Sequence, residues 1–525
     1  MDFSLTDEQR LLKESVERLL ADRYGFEVRQ GFMDEPAGWS RALWRSYAEL
    51  GLLGLPFEDK HGGIGGGPVE TMIVMEAFGR ALALEPFFAT VVLGGGLLRL
   101  GADEAMRAAL ITKIVTGDLL LAFAHAERQS RYDLADVATT ARRDGADYVL
   151  DGAKSLVIHG DCADKLIVSA RLAGGRRDRD GIGLFVVDAS AAGVSRRGYP
   201  TVDGLRAAEV TLSGVRVGPD RIVGELGKAF SLVAQVVDAA IAALAAEAVG
   251  AMAAMHEMTI DYLKTRKQFG VPIGNFQVLQ HRAAEMLMAL EQARSMAFLA
   301  TMMVEEPDAS ERRKATAAAK VQVGRSARFV GQQAIQLHGG IGMTMEYKVG
   351  HYFKRVTMID TLFGDAAIGD PENGLVLIER VVDEARTAMC AEAVGLMDES
   401  LKTTVEYLKT RKQFGVPIGS FQTLQHRAAD MFVAVEQARS MSMFATMACD
   451  FDDAKERATA VAAAKVQIGK SAKFVGQQSI QLHGGIGMTM EAKIGHYFKR
   501  LTMIENTFGD SEYHLRRVSD AGGLV

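Results

Sequence analysis

The chain repeats itself at a fixed offset of 145 residues, and no other feature limits its possible architectures so strongly. Tyr262-Leu-Lys-Thr-Arg266-Lys-Gln268-Phe269-Gly270-Val-Pro-Ile-Gly274 returns unchanged from Tyr407 to Gly419. Gly331-Gln-Gln-Ala-Ile-Gln336-Leu-His338-Gly339-Gly340-Ile-Gly-Met343 returns from Gly476 to Met488 with one change, Ser479 for Ala334. The offset runs without insertion from Gly224/Gly369 to Asp365/Asp510, and nothing before Gly224 is copied. Solenoid repeats span roughly 20 to 50 residues, so a unit of this length is a folding domain. One domain has been copied behind a half that has not, and that organisation is part of the function.

A chain of 525 residues holds about three or four domains and can bury a large core. Its net charge of -6 argues against a nucleic-acid or anionic-membrane partner. The densest basic run, Arg171 to Arg179, is broken by Gly174, Gly175 and Asp178 and reads as a solvated loop. Cys162, Cys390 and Cys449 lie far apart without metal-ligand spacing, so no metal site is expected and the thiols suit a reduced, cytoplasmic protein. The opening Met1-Asp-Phe-Ser-Leu-Thr-Asp-Glu-Gln has neither a basic nor an apolar leader segment. Val236 to Met255 is the most apolar stretch, but Asp238 and Glu247 interrupt it, and it reads as a buried helix rather than a membrane span.

Hydrophobic period divides the chain into an α+β multidomain order. Residues 1–118 read as an N-terminal helical domain, opened by the capping-box pattern Thr6-Asp-Glu-Gln9 and apolar Leu11, Leu12, Val16, Leu19 and Leu20. His61-Gly-Gly-Ile-Gly-Gly-Gly-Pro68 lacks the phosphate-loop patterns and reads as a flexible interhelical loop. Residues 119–222 change to period two: Val137, Thr139 and Ala141 alternate, and Asp144-Gly145 marks a hairpin before Tyr148. This predicts a middle β-barrel domain. Helical period returns at Gly224, with a stripe at Phe276, Leu279, Ala283, Met286, Leu290, Ala293, Ala297 and Ala300, and Asn275 (Ser420 in the copy) as N-cap. Two tandem C-terminal four-helix bundles follow, 223–367 and 368–513.

Each bundle carries Arg-x-Gln-Phe-Gly and Gln-x-His-Gly-Gly-x-Gly. An arginine beside a glycine-permitted turn can fork onto a pyrophosphate, and Gly-Gly-x-Gly lets backbone approach a flat or phosphorylated ligand closely. Taken singly, the arginine reads as a surface residue and the glycines as helix C-caps. In combination, behind a helical and a β domain, Arg266 to Gln277 and Gln336 to Gly342 resemble the acyl-CoA dehydrogenase flavoproteins over residues 1 to about 365. The ending His351-Tyr-Phe-Lys-Arg-Val-Thr-Met-Ile-Asp360 most resembles the small subunit of the pimeloyl-CoA dehydrogenase type.

The resemblance implies FAD as cofactor, with these motifs holding the adenosine and pyrophosphate of a neighbouring subunit's flavin. The candidate clasp is Arg266, Gln268, Phe269, Gln336, Gly339 and Gly340, repeated as Arg411, Gln413, Phe414, Gln481, Gly484 and Gly485. It also implies α,β-dehydrogenation of an acyl-CoA, in which a carboxylate removes the α-proton while the β-hydrogen leaves as hydride. The family's base is a glutamate whose position here falls on Thr361 and Asn506; the nearest acids are Asp360 and Glu505. An alternative family position falls on Ala240 and Ala385. The flavin-side motifs have also changed, to Ala126-Glu127-Arg128 with Tyr132, and to Gly152-Ala-Lys154-Ser-Leu156-Val-Ile158, which lacks an aromatic wall and a hydroxyl.

Losses grouped on one half of a cofactor site, beside an intact half present twice, point to a base-lacking subunit of a heteromeric dehydrogenase. A second acyl-CoA dehydrogenase subunit would supply base and flavin wall, and the second bundle would take the place of a second subunit's bundle, as an internal quasi-dimer. Electron-transferring flavoprotein is the electron acceptor that the resemblance implies. Two other readings stay open: a self-sufficient dehydrogenase using Asp360 or Glu505, and a non-catalytic acyl-CoA-binding or scaffold subunit.

Overall fold

The computed structural model describes residues 5–364, 374–489 and 491–522, and separates into two compact units, Met1–Ala366 and Ala367–Val525. The expected boundary at 367/368 and the repeat limits Asp365 and Gly369 lie outside the described residues.

The first unit opens with helices α1 (Asp7–Arg23), α2 (Phe26–Asp34), α3 (Arg41–Glu49), α4 (Pro68–Ala81), α5 (Gly95–Gly101) and α6 (Glu104–Val115). The capping box closes on both sides, with Gln9 N donating to Thr6 Oγ1 and Thr6 N to Gln9 Oε1. Of the expected stripe on α1, Val16 and Leu20 are buried whereas Leu11 faces solvent. The glycine segment before α4 is interhelical but firmly held. Ile64 N, Gly65 N and Gly66 N donate to Gly54, Phe57 and Leu55 carbonyls, so that loop is not the loose connection its composition suggests.

Eight strands follow: β1 (Leu121–Ala124), β2 (Thr140–Asp144), β3 (Asp147–Ile158), β4 (Lys165–Arg171), β5 (Ile182–Asp188), β6 (Val194–Pro200), β7 (Arg206–Val217) and β8 (Ile222–Val223). They form one sheet in the order β6-β7-β3-β2-β4-β5-β8, with β1 parallel to β4. A barrel was expected; among the described residues no ladder joins β6 to β8, because two-residue β8 ends the run and β6 pairs only with β7. Alternation sorts the faces: Leu166 and Val168 lie in the domain's own core, while Ile167 and Leu121 join the core shared with the helices.

Helices α7 (Ala229–Thr265), α8 (Gln277–Met303), α9 (Ala309–His338) and α10 (Lys348–Thr361) complete the first unit. By length and composition alone α7 could cross a membrane, but 72% of its most apolar window is buried inside the protein, as core. A two-strand ribbon, β9 (Lys267–Gln268) with β10 (Val271–Pro272), links α7 to α8. Asn275 is not the cap of α8. A 3-10 turn over Ile273–Asn275 delays the helix, and extended Phe276 takes the cap position without a side-chain hydrogen bond.

The second unit holds α11 (Gly374–Thr410), the ribbon β11 (Lys412–Gln413) and β12 (Val416–Pro417), α12 (Gln422–Ala448), α13 (Ala454–His483) and α14 (Lys493–Asn506). Each begins and ends 145 residues after its counterpart. A fifth helix, α15 (Ser511–Asp520), is capped by Asp510 and packs His514, fully buried, toward the unit's interior. Its mostly polar sequence carries no apolar run to announce it.

Candidate functional site

The C-terminal ends of α7 and α9 meet at a ring stack. Tyr262 and His338 lie with centroids 4.5 Å apart, which brings the arginine ribbon and the glycine turn to one end of the first unit's C-terminal helices. His338 Nδ1 lies 2.8 Å from the Ala334 carbonyl, so that nitrogen carries the proton, and burial lowers the ring's pKa and keeps it neutral. Within the ribbon Phe269 and Gly270 take φ +53° and +83°, a pair of left-handed residues as in a type I′ turn. A phenylalanine held there is strained by about 1–3 kcal/mol, and this one is 92% exposed. Against these costs stand an edge-on ring contact with Phe276 at 6.2 Å and the pairing of the two short strands that the turn joins.

After His338, Gly339 adopts φ +63°, ψ -141°, a region open essentially to glycine. Gly340 has ordinary backbone, and a Cβ there would meet nothing within 4 Å. Packing does not require glycine at 340, and the bare backbone there stands open to solvent. Arg266, Gln268 and Gln336 are exposed around it. The second unit reproduces the arrangement: Tyr407 stacks on His483 at 4.4 Å, Phe414 has φ +53° and 92% exposure, and Arg411, Gln413, Gln481, Gly484 and Gly485 are exposed. One neighbour differs, for Tyr347 flanks His338 at 5.0 Å and Ala492 cannot flank His483.

The other candidate half-site lies between β3 and the end of α10. Gly364 sits against Tyr132, and Ile158 and Leu362 line one cavity together with Phe88, Glu85, Glu247 and Arg355. That cavity measures about 30 Å³, room for one or two waters. Leu156, 38% exposed with φ +50°, bulges from β3. Beneath it Lys154 Nζ bonds Glu127 Oε1 at 2.6 Å, both side chains buried, and joins the two altered motifs. Burial opposes ionisation of Glu127, but Lys154 outweighs it and holds the carboxyl near 2.

None of the sequence-nominated acids reaches this cavity. Asp360 pairs with Arg328 at 2.9 Å and packs over Gly324. Thr361 is exposed and donates to the Met358 carbonyl. Glu505 accepts from Ser511 N at 2.9 Å at the head of α15, and exposed Asn506 donates to the Thr502 carbonyl. Ala240 is fully buried. Two other carboxylates do line the cavity. Glu247 is gripped by Arg355 through bonds of 2.5 and 2.8 Å, and Arg355 also reaches Asp203 at 2.8 Å. Glu85 accepts from Tyr47 Oη at 3.2 Å and from Ser40 N at 3.3 Å, and burial raises its carboxyl to about 7. Sequence reading missed Glu85, since one glutamate between Leu84 and Pro86 belongs to no pattern. Among the described residues no cluster of His, Cys, Asp and Glu is placed to hold a metal ion.

Three families match the chain in order: acyl-CoA dehydrogenase N-terminal domain over 6–118, middle domain over 122–215, and C-terminal domain twice, over 230–368 and 372–522. A probable acyl-CoA dehydrogenase of Bacillus subtilis, YngJ, is 28% identical over 373 residues, 70% of this chain and 97% of that protein. The caffeyl-CoA reductase-Etf complex subunit CarC of Acetobacterium woodii is 27% identical over 351 residues, 66% of this chain and 90% of its own. Among solved structures, a variant of the Tcur3481-Tcur3483 steroid ACAD aligns with TM-score 0.62 at 29% identity, covering 69% of this chain and 94% of that one. Each relative is matched nearly whole while part of this chain is left over.

Proposed function

Because the chain belongs to the acyl-CoA dehydrogenase family, we propose that it is the base-lacking, flavin-clasping subunit of a heteromeric FAD-dependent acyl-CoA dehydrogenase, of the pimeloyl-CoA dehydrogenase small-subunit type. One observation carries this reading. Where β3 meets the end of α10, side chains fill all but about 30 Å³; Asp360 is turned away to Arg328, Thr361 and Ala240 carry no carboxylate, and Glu247 is held by Arg355, whereas the arginine ribbon and glycine turn stand open.

The residues present fit one end of FAD and not the other. Arg266 would fork onto the pyrophosphate, the backbone at Gly339 and Gly340 would admit the dinucleotide, and Phe269 would cover it, with Arg411, Gln413, Phe414, Gln481, Gly484 and Gly485 able to do the same. Leu156 and Ile158 offer the isoalloxazine neither aromatic wall nor hydroxyl. When bound, FAD supplies the hydride acceptor for α,β-dehydrogenation. The acid–base residue and the rest of the flavin wall come from a second acyl-CoA dehydrogenase subunit. The matched Tcur3481-Tcur3483 steroid ACAD supports such a partner, and the reductase-Etf complex of the CarC relative supports electron-transferring flavoprotein as a redox partner, which for a dehydrogenase would be the acceptor. The same reading takes 1–118, 119–222, 223–367 and 368–513 as domains, the last two as tandem four-helix bundles, in a cytoplasmic protein.

A second reading, the self-sufficient dehydrogenase, has one observation in its favour: Glu85, poised near neutrality, lines the cavity beside Ile158. Turnover of a panel of acyl-CoA thioesters with excess FAD and an artificial acceptor separates the two. The chain alone should be inactive, activity should require the partner, and Asp360→Asn in the complex should change the rate by less than about threefold. Turnover by the chain alone that falls by about 10² or more in Glu85→Gln would overturn the proposal in favour of Glu85.

A further inference from the structure

The glycine-rich segment before α4 and the arginine of α5 take no part in the proposed function, yet they share a cavity. About 70 Å³ is enclosed by Gly66 and Gly67, Val91 and Val92, and Ala242 and Ala243 of α7, among other residues. It has no lining residue in common with the cavity beside Ile158. Its walls are mostly alanine, valine, methionine and proline, and exposed Glu305 stands at its mouth.

Arg99 is the single cation in that lining. Its Nε is buried without a hydrogen-bond partner, and no hydrogen bond or ion pair joins its guanidinium to another described residue. Burial lowers its pKa, with Glu305 and Glu58 opposing only at a distance. Leaving a guanidinium partly desolvated and unpaired costs free energy that a bound anion would recover.

The lining also indicates which anion. A glycine loop favours phosphate by offering several free backbone N–H groups, but here Gly66 N donates to the Leu55 carbonyl at 2.7 Å and Gly67 N to Glu70 Oε2 at 2.7 Å. The glycine loop is therefore spent on its own structure. One guanidinium above apolar walls suits a singly charged head on a hydrocarbon body.

We propose that this cavity binds a short aliphatic carboxylate, with the carboxylate on Arg99 and the chain along Val91, Val92 and Ala243. Free fatty acids, dicarboxylic acids and the far carboxyl of a dicarboxylic acyl thioester all present this chemistry. The site does not rest on the flavin reading and is measured without flavin or partner. Calorimetric titration of the full chain with propionate, propanol and propylamine should show propionate bound at least about tenfold more tightly than either analogue. Arg99→Met should lose about tenfold or more for propionate and leave propanol unchanged, while Glu305→Gln, by removing a like charge, should bind propionate more tightly. Succinate and its mono-CoA thioester, titrated in parallel, distinguish free acids from the end of a thioester. Equal affinity for propionate and propanol, unchanged binding in Arg99→Met, or no heat with propionate would each overturn the site. If Arg99→Met does not fold, the propanol comparison and Glu305→Gln decide it.

Discussion

α7 and α11 are one helix written twice, 37 residues each, and they live in opposite surroundings. On α7, Val236, Ala243, Ala246 and Gly250 are buried, and α4 crosses so closely that a Cβ on Gly250 would lie 1.9 Å from the Glu76 carbonyl oxygen. Within the second unit the counterparts Val381, Ala388, Ala391 and Gly395 are exposed, and Gly395 has nothing within 4 Å. The chain has adjusted to this. Glu384, Asp398 and Glu399 stand where α7 has Ala239, Ala253 and Ala254. Arg294 draws its carboxylate from Glu76 on α4, while its counterpart Arg439 takes Asp398 from the neighbouring helix of its own unit. The ribbon and glycine turn did not change at all. The second copy has thus given up the face that docks an N-terminal domain and kept the end that could clasp a ligand.

Equivalent substitutions should therefore behave unequally. The largest contrast is expected at the homologous arginines. Arg355→Met leaves Glu247 and Asp203 buried without their cation and should cost about 3–5 kcal/mol of unfolding free energy in denaturant titration of the first unit's transition. Arg500→Met breaks only the exposed pair with Glu392 and should leave the midpoint unmoved. Equal losses would mean that the second unit's pair is also buried, and the contrast would fail.

At the homologous glycines even the sign should differ. Gly250→Ala forces α4 away and should destabilise by about 1–3 kcal/mol, whereas Gly395→Ala, in an open helix interior, should stabilise by about 0.5–1 kcal/mol. Loss of stability in both would show that α11 is covered in solution. Smaller still, Asp398→Ala should cost up to about 1 kcal/mol and fade with added salt, since it removes two partly exposed pairs, with Arg439 and Lys402. Salt-independent loss would argue that Asp398 is more than a replacement for Glu76.

The repeat was legible because identical sequence folds identically, and even the strained φ of Phe269 and Phe414 agrees to the degree. Domain order followed from period, since alternation at Val137, Thr139 and Ala141 differs plainly from the stripe on α8. What failed depended on tertiary detail. Asn275 looked like a cap, but its 3-10 turn uses the position differently. The open edge between β6 and β8 rests on pairing that composition does not encode. Glu127 and Lys154 were visible only as altered motifs, and their buried pairing needed the sheet. Glu85 was invisible because its unusual carboxyl is made by burial among Tyr24, Ser40 and Tyr47.

The central claim is that this chain clasps a flavin dinucleotide whose remaining wall it does not provide, and flavin content tests it most directly. Purified alone, the full chain should carry far less than one FAD per chain; assembled with its partner subunit, the complex should retain FAD. In that complex Arg266→Ala or Arg411→Ala should weaken FAD binding by about 1.5–3 kcal/mol wherever the clasp is used. Stoichiometric FAD on the isolated chain, or a complex that keeps full FAD affinity when both arginines are replaced, would contradict the account.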